Sequence, residues 1–265
     1  MANYFATHHF SRQVLNTYRG IALPGYANLF VRLFISDPTD TGTAGIELAY
    51  PGYTGQQIMF TPPANFEGNL AIRNTADITF PESSQSTEPV LHIGIFDSAV
   101  PGTGNMVLRG DLTRPLEIRA NQQPSILAGD IIYISRGDFT AQFRTAYLNT
   151  LRGQTLQGFS SHLAMFDGNP ESGGFELSGE AYARAALSFA SPVIDPNTGL
   201  MTITNETVAT FPTPLGTWGP WNYDCVMRGS SGAETASFSR NDEAEIVHRG
   251  YIGRIREGRF TITHD

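Results

Sequence analysis

The segment LNTYRGIALPGY, from Leu15 to Tyr26, returns as LNTLRGQTLQGF from Leu148 to Phe159. Seven of the twelve positions are identical, Phe159 answers Tyr26, and the offset of 133 residues is half of the 265-residue chain. No other feature constrains the fold as strongly, because a long repeat at fixed offset means one folding unit written twice.

The repeat continues along the chain. NLFVRLFISDP (Asn28 to Pro38) is answered by SHLAMFDGNP (Ser161 to Pro170), with Phe34 and Phe166 at an offset of 132. GIELAYPGYTGQQIMF, ending at Phe60, is answered by GFELSGEAYARAALSF, ending at Phe189; the offset of 129 sets Glu47 and Leu48 on Glu176 and Leu177. NTADITFP (Asn74 to Pro81) matches NETVATFP (Asn205 to Pro212) at 131. Twelve residues after the Phe of each motif stand HIGIFD (from His92) and YDCVMR (from Tyr223), where spacing is kept and identity is lost. Last, GDIIYISRGDFT (Gly129 to Thr140) aligns with GYIGRIREGRFT (Gly250 to Thr261) at 121, which implies ten residues lost from the second copy. The expected organisation is two tandem domains, residues 1–142 and 143–265.

Each copy opens with a short helix. Phe10, Val14, Leu15 and Tyr18 have helical spacing and Gly20 stands where a helix ends; Phe143, Tyr147, Leu148 and Leu151, with Gly153, repeat the arrangement. Helices this short need a surface to pack on, and the expected surface is the sheet that follows. The rest reads as short β-branched and aromatic runs separated by Gly, Pro, Asn and Asp. Strands do not alternate with helices, so the expected class is mainly β: two antiparallel β-sandwiches or partly open barrels, each preceded by a helix. LNTxRGxxLxG then reads as a helix end, its glycine stop and a turn, with Asn and Thr retained for a specific local hydrogen bond.

Composition narrows function. Net charge is −8, from 25 acidic and 17 basic residues, and all 17 are Arg. An acidic chain without a basic run does not suit binding to a nucleic-acid backbone. Cys225 is the only cysteine, which excludes an intrachain disulfide and reads as a small buried residue. MANYFATHHFSRQ lacks the apolar core of a signal peptide, and no apolar run is long enough to span a bilayer, so synthesis and folding in a cytoplasm are expected.

LFISDPTDTGTAG, NTADITFP, HIGIFDSA and RGDFT in the first copy, and GGFELSGEAYARAALSF, NETVATFP, TWGPW and GRFTITHD in the second, together resemble a family of tailed-bacteriophage tail-fibre or minor tail proteins. The resemblance covers each copy almost end to end. It implies a β-rich virion structural domain that is not an enzyme, needs no cofactor and binds other virion proteins, as a minor tail, tail-fibre or fibre-adaptor component and as a homo-oligomer. Two departures stand out: the pattern is doubled here, and the second copy has lost the identity of the HFGIFD-like strand, so that face has diverged toward another contact. A capsid-surface decoration protein is the alternative, and a glycan-binding or glycan-cleaving tail module, with a host surface glycan as partner, is the alternative of another class.

Catalytic and metal motifs are weak. His8 and His9 are adjacent and point to different helix faces. DPTDTG, from Asp37, lacks the distal Glu of a calcium loop and reads as a turn. No GxSxG is present, and nothing in the spacing of Glu47, Glu176 and Glu180 sets a catalytic carboxylate pair. His264 and Asp265 are expected to be frayed or tied down by a neighbour. No catalytic, cofactor or metal residue is therefore assigned. Candidate partner-binding residues are Trp221 and Tyr223 in TWGPWNY; Phe10 on the first helix; and Gln122 and Gln123 in a Pro- and Gln-rich segment, Pro101 to Ser125, read as a long loop. Trp218 is expected in the core.

Overall fold

The computed structural model describes residues 4–232 and 234–264. Its first half contains β1 (Tyr4–Ala6), α1 (His8–Asn16), β2 (Leu29–Phe34), β3 (Gln56–Ile58), β4 (Ala64–Phe66), β5 (Asn69–Arg73), β6 (Ile78–Thr79), β7 (Val90–Phe96), β8 (Met106–Leu116), β9 (Ser125–Ile126) and β10 (Ile132–Ile134). The second half contains α2 (Ala141–Leu148), β11 (His162–Phe166), β12 (Ala185–Ala186), β13 (Val193–Ile194), β14 (Met201–Thr204), β15 (Ala209–Thr210), β16 (Trp218–Met227), β17 (Thr235–Val247), β18 (Arg254–Ile255) and β19 (Thr261–His264). A turn of 3-10 helix, Asn149–Arg152, continues α2. The chain is mainly β.

In the first half eight strands form one curved half-barrel sheet, ordered β3-β2-β7-β8-β1-β10-β5-β4. The second half has the same parts in two pieces, β12-β11-β16-β17 and β13-β14-β19. The break has a local cause. In the first half Tyr4 joins the pieces, pairing with Gly110 on β8 and Tyr133 on β10. The corresponding residue of the second half is Gly137, at φ +95°; Phe139 still bridges to Ser237 on β17, but β19 pairs only with β14 among the described residues.

Matching polar residues hold matching positions. Thr7 caps α1, accepting from the Phe10 N–H and donating to the Met106 carbonyl; Thr140 caps α2, accepting from Phe143 and donating to Thr235. The Asn74 amide donates to the carbonyls of Ala76 and Leu127 and accepts from the Ile131 N–H. Asn205 does the same with Thr207, Arg256 and Phe260. Gly129 donates to the Asn74 carbonyl as Gly258 donates to that of Asn205.

These bonds correct the alignment of the last motif. Gly129 corresponds to Gly258, an offset of 129, so no ten-residue loss separates the copies, and Phe139 and Thr140 open the second half instead of closing the first. The expected boundary at Gln142 falls within the first turn of α2. The expected long loop is likewise interrupted by a strand: β8 takes up Met106–Leu116.

The repeated LNTxRGxxLxG segments meet each other. Leu23 and Leu156 exchange two backbone hydrogen bonds of 2.8 and 2.9 Å, the Tyr26 N–H donates to Thr150, and the Phe159 N–H donates to Thr17. Arg19 donates to the Phe189 carbonyl of the second half, while Arg152 reaches back to the Phe60 carbonyl of the first. Asn16 and Asn149 each hold their arginine at 2.8 Å. Thr17 and Thr150 close the helix ends on the Val14 and Tyr147 carbonyls, the local bonds expected of the motif.

The helices are exchanged as well. α1 rests on its own β8 and also on β14 and β19, whereas α2 rests on its own β17 and on β5 of the first half. Ser11 on α1 meets the His264 ring at 2.9 Å, and the Tyr147 hydroxyl on α2 meets that of Ser135. Each helix thus packs on the sheet that follows it, as expected, and also on the sheet of the other half. The seam is filled by Tyr18, Phe139, Phe143, Phe159 and Phe189, and one continuous apolar core includes residues of both halves. Burial of so many aromatic rings is the main force holding the halves together.

Candidate functional site

The sequence candidates separate by burial. Phe10 is 0% exposed and Trp221 only 6%, which corrects both as surface contacts: Phe10 packs against Tyr26, Tyr147 and His264, and Trp221 packs edge-on to Phe211. Tyr223 is half-buried against Phe238 on the outer sheet face. Gln122 and Gln123 are exposed; Gln122 forms a turn with Arg119 and bridges to Ser83. The five residues therefore do not converge on one surface. Trp218 lies in the core as expected, its indole N–H donating to the Glu180 carbonyl. Cys225 is buried and free.

The other sequence features resolve as structure. Glu47 is held by Arg32, and Glu176 by Arg184 at 2.7 and 2.8 Å, so each carboxylate has its own arginine. Tyr53 and Tyr182 support these pairs from the same position, each hydroxyl accepting a backbone N–H, from Leu33 and Met165. Asp37 caps a turn at Thr39, and Asp40 binds Arg109 at 2.6 Å. His264 is 2% exposed, and burial lowers its imidazole pKa to about 3. It is tied down by α1 of its own chain; Asp265 lies outside the described residues.

A cleft of about 700 Å³ opens between the far half of β17 and the segment 251–259, with Trp221 and Asp224 of β16 at its base. The sequence singled out Trp221 as a partner-binding candidate but indicated neither the cleft nor its other residues. Asp224 lies on the inner sheet face. The Asn241 amide, oriented to satisfy both neighbours, donates to Asp224 Oδ2 at 3.0 Å and accepts from the Trp221 indole N–H at 3.2 Å. Asp224 Oδ1 is buried with no partner among the described residues. Burial, then the nearby Glu245 carboxylate, raises the Asp224 pKa to about 7, against the lowering pull of the Trp221 N–H. Tyr251, 71% exposed, stands at the rim beside His248. Arg254, Arg256 and Arg259 line the other side.

Residues 5–133 match the family model described as "Podophage GP4 fiber I protein gp80". The match covers 129 of the 265 residues, just under half of the chain, and makes this stretch similar to a family of bacteriophage fibre proteins. No curated protein matches the chain. No helix among the described residues is long and apolar enough to cross a membrane.

Proposed function

We propose that the chain is a non-enzymatic block of the phage tail in which two interlocked copies act as one rigid body and join other virion proteins, including further copies of itself. The junction between the copies lies at residues 135–140, since Thr140 corresponds to Thr7. The match of residues 5–133 to a fibre-protein family carries this reading. The exchanged helices support it, because they suit a part that transmits load without its halves sliding. Both copies also present a large apolar side chain at the same position: Ile46 is 61% exposed and Phe175 is 73% exposed. Apolar groups repeated on a solvent face suit contact with partner proteins.

Quantifying this chain against the major capsid protein in purified virions tests the reading. A few to a few dozen copies per particle support a tail block, whereas hundreds would make it a capsid decoration protein. In the same virions, Phe175→Ser is expected to leave the fold intact and to reduce incorporation. Normal incorporation of that variant would remove this face from the contact.

A further inference from the structure

The two copies act as an internal control for the cleft. The hairpins β7–β8 and β16–β17 carry the same register shift, so Val90 opposite Leu116 corresponds to Trp221 opposite Glu245. The same registers set Ile93 of the first copy on Asp224 and Leu112 on Asn241. Val90 and Ile93 are both fully buried in the apolar core. The second copy has therefore introduced an acid, an amide and a second acid where the first has Ile93, Leu112 and Leu116.

The opposite wall has changed too. The pairings of β6 with β9 and β15 with β18 set Ser125 on Arg254. The shared Asn bonds set Leu127 on Arg256 and Asp130 on Arg259. None of these three arginines has a carboxylate within 4 Å among the described residues. In a chain of net charge −8, three arginines without a carboxylate partner among the described residues line one cleft.

Burying a carboxyl without a full set of partners destabilises a fold, and the first copy folds with apolar residues at these positions. The second copy's changes are thus explained by a ligand and not by packing. Its chemistry can be read from the groups. Asp224, Glu245 and Asn241 are closely set acceptors and donors for hydroxyl groups. The exposed Tyr251 ring offers a flat apolar face. The arginines offer forked donors for a carboxylate or phosphate. An acidic peptide would suit the arginines but would not bring the row of hydroxyl donors that Asp224 and Glu245 can accept from.

We propose that this cleft binds an acidic sugar residue, a pyranose carrying a carboxylate or a phosphate. Its ring stacks on Tyr251, its hydroxyls bond to Asp224, Glu245 and Asn241, and its anionic group is held by Arg254, Arg256 and Arg259. The near-neutral titration of Asp224 fits a carboxyl that awaits hydroxyl partners. The assignment does not depend on where in the virion the chain sits.

The test is ligand-detected NMR on the full chain with D-glucuronate, glucose 6-phosphate, neutral glucose and a glutamate-rich peptide. Tyr251→Ala and the double variant Arg254→Ala/Arg256→Ala change exposed residues, and thermal melts would verify their folding. Saturable binding of at least one acidic sugar is expected, weakened about tenfold or more in both variants and for glucose, which corresponds to roughly 1.4 kcal/mol. The acidic sugar that binds better identifies the anionic group. No saturable binding of either acidic sugar, equal binding of glucose, indifference to the variants, or preference for the peptide would each overturn the proposal.

Discussion

Gly25 packs directly on the carbonyl of Gly153, with no room for a β-carbon between them. The relationship is reciprocal, since Gly158 packs in the same way on Gly20. Gly20 and Gly153 both have φ near +80°, which turns each chain away from its helix and presents its backbone to the other copy. Gly25→Ala or Gly158→Ala must therefore push two backbones apart at the seam. Each is expected to cost about 3 kcal/mol, near the upper end for overpacking. Gly216→Ala, at a residue with open space around it and an ordinary φ, should stay within about 0.5 kcal/mol of the parent. Urea melts of the three variants give the comparison, and equal midpoints would show that the seam does not limit stability.

The exchanged helices lead to a second expectation. Arg136 and Gly137 are exposed and lie where one copy passes into the next. A protease site inserted between them should be cleavable in the folded protein. The two fragments should then remain together at the parent's gel-filtration volume, because α1 is buried on β14 and β19 and α2 on β5. Residues 1–136 expressed alone should lack a cooperative melt, since their sheet would lose the cover of α2. Fragments that separate and each melt cooperatively would mean that the copies are independent domains.

The sequence revealed the repeat, the mainly β class and the structural character of LNTxRGxxLxG. It did not reveal which copy each segment touches, because identical letters related by an approximate two-fold can pair within a copy or across the seam. Aligning Phe139 with Phe260 followed shared letters, whereas the true correspondence of Gly129 with Gly258 rests on bonds to Asn74 and Asn205. Phe10 and Trp221 were legible as aromatic but not as buried, since burial depends on what the rest of the chain brings to them. The cleft was illegible for a related reason. Asp224, Asn241 and Glu245 meet only through the β16–β17 pairing, and Arg254 to Arg259 arrive on a separate segment.

Asn74 and Asn205 give a third prediction. Each side chain satisfies two carbonyls and one N–H at the closing turn of its copy. Both are almost wholly buried, so water cannot replace the lost partners. Asn→Ala at either position should cost on the order of 3 kcal/mol, the penalty for leaving buried backbone groups unsatisfied. Similar losses at the two positions are the expected result in chemical denaturation. A loss at one position alone would show that the two turns, though alike in geometry, differ in their weight in folding.

The last prediction concerns pH, where two buried groups oppose each other. The folded-state pKa of Asp224 is about 7 against an ordinary 3.8. Between those values the folded chain keeps a proton that the unfolded chain has released. Its contribution is thus fully present at low pH and is lost as pH rises through about 7. The folded-state pKa of His264 is about 3 against an ordinary 6.5, so the unfolded chain takes up a proton that the folded chain refuses. Its contribution is present above pH 6.5 and is lost as pH falls. From about pH 4 to 6.5 the two slopes have opposite sign and largely cancel. Asp224→Asn removes the first and leaves the second. The stability of the variant relative to the parent should therefore increase with pH across this window, by on the order of 1 kcal/mol per pH unit. Urea melts of both proteins at pH 4.5, 5.5 and 6.5 measure that difference. A difference independent of pH would mean that Asp224 is ionised in the folded cleft throughout and has a partner there.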